Sequence, residues 1–166
     1  MPAPAEEAAL TEYQLKALFI YNFPKFVEWP AQAFATGEEP FVIGIIGENP
    51  FGTALEDTVK GKSTNEHPFV VKRVRTPAEA RRCHILFVAE SDRKRLSELL
   101  NALKGASVLT VSDVDNFLEL GGMIRFYMEG KRVRFEINNE AAKSARLKIS
   151  SKLLQLGPRG QKEEAK

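Results

Sequence analysis

The sequence predicts an α/β fold, a three-layer sandwich with a mainly parallel central sheet and an antiparallel hairpin at its C-terminal edge. Three observations carry this. Short and almost wholly apolar runs, Phe41 to Ile46, Ile85 to Val88 and Val108 to Val111, have the make-up of strands buried on both faces. The segments between them carry helical spacing and helix punctuation, and strands alternating with helices argue for a parallel sheet covered on both sides. Towards the end of the chain the apolar period changes to two, which marks strands with one dry and one wet face.

Thr11 and Gln14 have the spacing of a capping box. From there Leu15, Leu18, Phe19, Phe23 and Phe26 recur at helical spacing and define one broad apolar face. Pro24 lies inside that pattern and removes the bond its N–H would give to the Ile20 carbonyl, so a kink or break is expected there; Pro30 closes the element. After a polar loop and the first strand, Gly47 to Phe51 is a turn and Gly52 to Val59 a short helix. Phe69-Val70-Val71 opens the second strand, and Ile85 to Val88 is the third. Ser91 is placed to cap a helix carrying Leu96, Leu99, Leu100 and Leu103, which stops near Gly105. Val108 to Val111 is the fourth strand. Ile124, Phe126 and Met128 then alternate with Arg125 and Tyr127. Glu129-Gly130-Lys131 turns the chain, and Val133, Phe135 and Ile137 alternate with Arg134 and Glu136, completing a hairpin. Asn138 or Asn139 caps a helix through Ala145, and Ser150 or Ser151 a last short one with Leu153, Leu154 and Leu156. The chain therefore reads as one domain over residues 11–156, with disorder expected for residues 1–10 and 157–166.

A chain of 166 residues is long enough for one domain with a real core. With 43% apolar and 28% charged residues it has globular composition. The net charge of +2 is too small for a domain that grips nucleic acid through its phosphates. No apolar run approaches the roughly 18 residues of a spanning helix, so direct membrane insertion is not expected. The single cysteine, Cys83, cannot close an intramolecular disulfide. Met1 to Glu7 is small and polar, without the basic start and apolar stretch of a signal peptide. That fits a cytoplasmic protein, or a mature exported chain with an added Met.

The usual chemical motifs are missing. Gly47 and Gly52 match the glycines of a phosphate-binding loop, but Thr53-Ala54 follow where Lys and Ser or Thr are required. The first strand ends in Gly47-Glu48-Asn49 and the third in Ala89-Glu90-Ser91-Asp92, which lacks the acidic cluster of a phosphoacceptor domain. His67, Cys83 and His84 contain no pair at metal-ligand spacing, and no nucleophile sits in a recognisable context. No catalytic residue, metal or cofactor is nominated. Two features remain. Tyr21, Asn22, Phe26 and Trp29, with Glu28 among them, form an aromatic cluster that is a candidate ligand or interface site; its plain alternative is packing on the sheet. On the wet face of the hairpin, Arg125, Tyr127, Arg134 and Glu136 stand beside Lys131 and Arg132. That mixture suits a protein contact, the alternative being a solvated edge on which charge discourages strand pairing. Phe117 follows the polar stretch Asp113 to Asn116 with only Leu118 and Leu120 as companions. With Glu129 at the hairpin tip it reads as an aromatic anchor ringed by charge, unless it tucks under the hairpin as core.

Four stretches together resemble the YfiR-like family of exported signalling proteins. They are Leu15-Lys16-Ala17 through Glu28-Trp29-Pro30, then Cys83 to Val88, then Gly121-Gly122-Met123-Ile124-x-Phe126 through Arg134 to Asn138, and the closing Leu147 to Leu154. The resemblance implies a non-enzymatic periplasmic protein, dimeric in many members, that binds and represses a diguanylate cyclase of the inner membrane through the cyclase's periplasmic part. It also allows an alternative, a ligand-sensing input module for a membrane histidine kinase or another signalling protein. Two departures stand out: Cys83 has no second cysteine for redox gating, and Arg146 stands where similar proteins commonly carry Gly.

Overall fold

The structure, a computed structural model, describes residues 10–34 and 37–156. The disorder expected at the two ends falls, Leu10 apart, outside the described residues. The first helix, α1 (Glu12–Asn22), opens on the expected capping box: the Gln14 N–H donates to Thr11 Oγ1 at 3.1 Å and the Thr11 N–H to Gln14 Oε1 at 2.8 Å. Pro24 ends it as expected, and a 3-10 turn, Phe23–Phe26, leads into the short strand β1 (Val27–Glu28). The main sheet comprises β2 (Phe41–Ile46), β3 (Ser63–Thr64), β4 (His67–Val74), β5 (Ile85–Val88), β6 (Leu109–Ser112), β7 (Ile124–Glu129) and β8 (Arg132–Ile137), in the order β3-β4-β2-β5-β6-β7-β8. The pairings from β4 through β2, β5 and β6 to β7 are parallel; β3–β4 and β7–β8 are antiparallel. The mainly parallel sheet with its antiparallel C-terminal edge is therefore as the sequence predicts.

Helices α2 (Ala54–Val59), α3 (Pro77–Ala80), α4 (Leu96–Ala102), α5 (Asn139–Ser144) and α6 (Ser151–Leu156) complete the layers. Alternate residues of the central strands feed two cores. Ile43, Ile45, Ile85, Phe87, Leu109 and Val111 meet Ala17, Ile20 and Phe23 of the first helical segment and Leu55 of α2. On the other face Ile46, Leu86 and Val88 meet Leu96, Leu99 and Leu100 of α4. Gly44 lies mid-strand in β2 because a Cβ there would run into the Cys83 sulfur. Burial pushes the Cys83 thiol up to about 11, so it stays protonated and a poor nucleophile.

Several local expectations need correction. The α1 face is rotated: Leu18 is exposed, and the fully buried positions are Lys16, Ala17 and Ile20. Ser91 caps no helix; residues 90–95 form a 3-10 turn, α4 starts at Leu96, and Ser91 Oγ instead accepts the Glu48 N–H at 2.8 Å. The second strand begins at His67 rather than Phe69, as the return arm of a hairpin with β3. A separate ribbon, β1 with β9 (Lys148–Ile149), was not foreseen. Phe117 is not a surface anchor. It is fully buried in the second core, its ring lying where a Cβ on Gly122 would be, because the 113–122 segment folds back on itself with the Gly122 N–H bonded to the Phe117 carbonyl at 2.9 Å.

Helix α5 ends in a Schellman motif. The Leu147 N–H reaches the Ala142 carbonyl, the Arg146 N–H reaches the Lys143 carbonyl, both at 2.9 Å, and Arg146 sits between them at φ 64°. A side chain in that left-handed conformation is disfavoured. Arg146→Gly is expected to raise unfolding free energy by about 0.5–1 kcal/mol, the relief of strain less the extra chain entropy of glycine. Phe117→Ala is expected to lower it by about 3–5 kcal/mol as a core cavity forms. Urea denaturation of both variants against the parent checks the two signs.

Candidate functional site

β7 pairs with β6 only through Val111 with Ile124 and Ser112 with Arg125, so Phe126 to Glu129 and their β8 partners reach past the end of the sheet. A two-residue turn, Gly130-Lys131, joins the arms, with Gly130 at φ 62°. On the dry side Phe126 and Phe135 lie 6.0 and 5.6 Å from the Phe19 ring of α1. Met128, nearer the tip, is 40% exposed because the core does not extend that far.

The wet side is a ladder of opposed pairs: Arg125 with Glu136, Tyr127 with Arg134, Glu129 with Arg132. Arg125 Nε donates to Glu136 Oε2 at 2.6 Å, its guanidinium lies 5.1 Å from the centre of the Tyr127 ring, and Asp115 Oδ1 is 3.8 Å away. Arg134 Nη1 donates diagonally to Glu129 Oε1 at 3.0 Å. On this face Glu129 and Arg132 are exposed, while Arg125, Tyr127, Arg134 and Glu136 are half-buried. Arg125, Tyr127, Glu129 and Arg134 thus fall on one surface as expected, and Phe117 does not.

The aromatic cluster is divided by the fold. Tyr21 and Phe26 line a cavity of about 610 Å³ between the end of α1, the β1–β9 ribbon and the β3–β4 hairpin. Asn22 turns its amide back to the Leu18 carbonyl at 3.0 Å and, with Phe26, borders an apolar groove of about 490 Å³ beside Val133, Phe135 and Leu153. Trp29 is a packing residue: its Nε1 donates to the His84 carbonyl at 3.2 Å and its ring meets Phe41 edge-on at 5.0 Å.

Sequence reasoning missed two buried polar groups. The Lys16 ammonium, on α1, contacts Glu12 Oε2 at 2.5 Å and Asp113 Oδ2 at 2.9 Å, and the Tyr13 hydroxyl donates to the same Asp113 oxygen. Burial, then the bond to Asp113, pushes the Tyr13 hydroxyl pKa up, so it remains a donor. The only available signal was an aspartate directly after a strand. His84 accepts the Val42 N–H on Nδ1 at 3.0 Å, so Nε2 carries the proton and donates to the Ala33 carbonyl at 2.9 Å. Phe34 is stacked between His84 and His67, 4.3 and 4.0 Å from their rings. Among the described residues no group of three or more His, Cys, Asp or Glu could hold a metal ion.

The sequence profile of the YfiR/HmsC-like family matches residues 13–158. The chain belongs to that family, whose members are periplasmic regulators of cyclic-di-GMP signalling. No curated protein matches it. Its fold is similar to the crystal structure of a conserved domain protein from Vibrio cholerae O1 biovar El Tor, with a TM-score of 0.60 at 11% identity over 89% of this chain. This chain spans 60% of the length of that one, and the likeness is one of fold. Among the described residues no helix is long and apolar enough to cross a membrane.

Burial lowers the His84 pKa; the Ala33 carbonyl and Glu39 oppose this in part. As pH falls below about 6.5 the unfolded chain takes up a proton that folded His84 resists, so stability drops with acid. His84→Asn should flatten that part of the profile. Urea melts of parent and variant at pH 7.5 and 5.5 read the difference; equal slopes would rule His84 out as its source.

Proposed function

We propose that this protein is a non-enzymatic periplasmic regulator that restrains a membrane-bound diguanylate cyclase by binding its periplasmic part through the charged face of the β7–β8 hairpin. The observation that carries this reading is the ordered array on that face. Arg125 is already held by Glu136 and stacked on Tyr127, so docking a partner freezes little further side-chain freedom. Arginine and tyrosine in such arrays are the side chains on which interface energy concentrates. The family supplies the partner class. Self-association does not run through a disulfide, because Cys83 is buried. Gel filtration of Cys83→Ser beside the parent should therefore give the same oligomeric state, and a variant that dissociates would contradict this.

A cavity of about 610 Å³ next to Tyr21 favours a second reading, a ligand-sensing input module for a histidine kinase or other membrane signalling protein. Phosphorylation of that kinase, with unchanged cyclic-di-GMP in the deletion strain, would select it.

Glu129 is 64% exposed, and its pair with Arg134 is a surface ion pair worth about 0–1 kcal/mol. Glu129→Lys should leave the thermal melt nearly unchanged yet raise cyclic-di-GMP in a reporter strain, since the new charge faces Arg132 and Arg134 and repels a partner matched to the parent. Tyr127→Ala should release the cyclase more strongly, an interface anchor being worth about 2 kcal/mol or more. Full repression by both variants at normal abundance would remove this face from consideration. Cell fractionation should place the protein in the periplasm, and recovery from the cytosol would overturn that part.

A further inference from the structure

We infer that the cavity beside Tyr21 is a binding site for a small, multiply charged anion, either a phosphate ester or a polycarboxylate. Its walls carry donors of two kinds. Its lining residues include Ser63, Thr64, Asn65 and Ser150, which carry hydroxyls and an amide, and Lys25 and Lys148, which carry ammonium groups. A third lysine adds to these: Lys62 Nζ and Lys25 Nζ both lie 5.0 Å from the centre of the Tyr21 ring, so one aromatic face system gathers two cations at the cavity edge. Lys62 spends one donor on the Thr58 carbonyl at 2.9 Å. Among the described residues, the ion pairs formed include none of these three lysines.

The charge balance is what points to an anion. Three lysines stand against one wall carboxylate, Glu28, which faces Lys148 in the β1–β9 register without pairing to it. Like charges that outnumber their counter-charges repel one another, and a bound anion offsets that repulsion. Ammonium and hydroxyl donors are the groups that form the charge-assisted hydrogen bonds by which phosphate and carboxylate oxygens are held. The volume, about 610 Å³, lies in the range of small-molecule sites rather than of peptide grooves. The walls are also held rigid. Pro24 and Val27 are buried, and the Ser150 N–H bonds the Phe26 carbonyl at 2.7 Å, tying the end of β9 to the 3-10 turn.

Calorimetric titration of the full chain with inorganic pyrophosphate and with citrate, at constant ionic strength in chloride, tests the site. Saturable one-to-one binding of at least one probe is expected, weakened about fivefold or more in Lys148→Gln and in Lys25→Gln, and unchanged in Lys104→Gln, a lysine outside this cavity. Both cavity lysines are exposed, so their variants should keep the parent's circular dichroism. Tighter pyrophosphate binding assigns the phosphate class and tighter citrate binding the polycarboxylate class. Absence of saturable binding by either probe overturns the proposal. So does equal weakening in all three variants, which would mark general charge screening. The readout is independent of cyclase repression, so either reading can fail alone.

Discussion

The ammonium of Lys16 is buried, and the end of the sheet is organised around the need to satisfy it. An unpaired charge in that position would be strongly destabilising, since removing one partner of a buried pair costs about 3–5 kcal/mol. Glu12, one turn earlier on α1, and Asp113 together prevent this, and Asp113 is the first residue after β6. The pair therefore joins the start of α1 to the point where the chain leaves the sheet. Ser112 secures the same point from the other side, its hydroxyl donating to the Val88 carbonyl at 2.7 Å and accepting the Val114 N–H at 3.1 Å. With that exit fixed, Phe117 folds into the second core and the Met123 N–H reaches Thr110 Oγ1 at 3.0 Å, which sets where β7 begins.

The same exit explains why the two faces of the hairpin differ. Between β4 and β5 the chain lays down α3, and between β5 and β6 it lays down α4. Between β6 and β7 it makes only the turns around Phe117, so the second layer ends before the hairpin. The first layer does not end there, because α1 extends Phe19 over Phe126 and Phe135. The outcome is a two-sided ribbon, apolar beneath α1 and charged on the opposite side. β8 is also the last strand of the sheet, and Arg132 and Arg134 on it discourage pairing with a stray strand.

What could be read from the sequence was what depends on neighbours in the chain. The apolar runs of β2, β5 and β6, the period-two hairpin, the Thr11 box, the Asn138 cap and the break at Pro24 are all local signals, and they place most of the fold. The two-residue strands β1, β3 and β9 were illegible because their only reason to be extended is a partner, which for β1 and β9 lies more than a hundred residues away. Lys16 misled the α1 reading because a lysine counts as a surface residue until its carboxylate is known, and Asp113 is equally remote. Phe117 lies outside any period, so nothing local distinguished core from surface. Of the candidate sites, the hairpin face was legible because alternation puts its residues on one side. The cavity was legible only as Tyr21, Phe26 and Glu28, since most of its other walls come from β3, the turn after it and β9.

The ribbon of β1 and β9 has a consequence for how the molecule comes into being. Val27 is matched with Ile149, and the backbone bond from Ser150 to Phe26 closes the same seam. A chain delivered from its N-terminal end, whether from a ribosome or through a membrane pore, exposes β1 long before β9 arrives. The helix and sheet can collapse early, but the seam must wait until residue 150 is free. Truncated or stalled chains are thereby left with an open edge that proteases can recognise, and completion of the fold reports that the whole domain has been delivered.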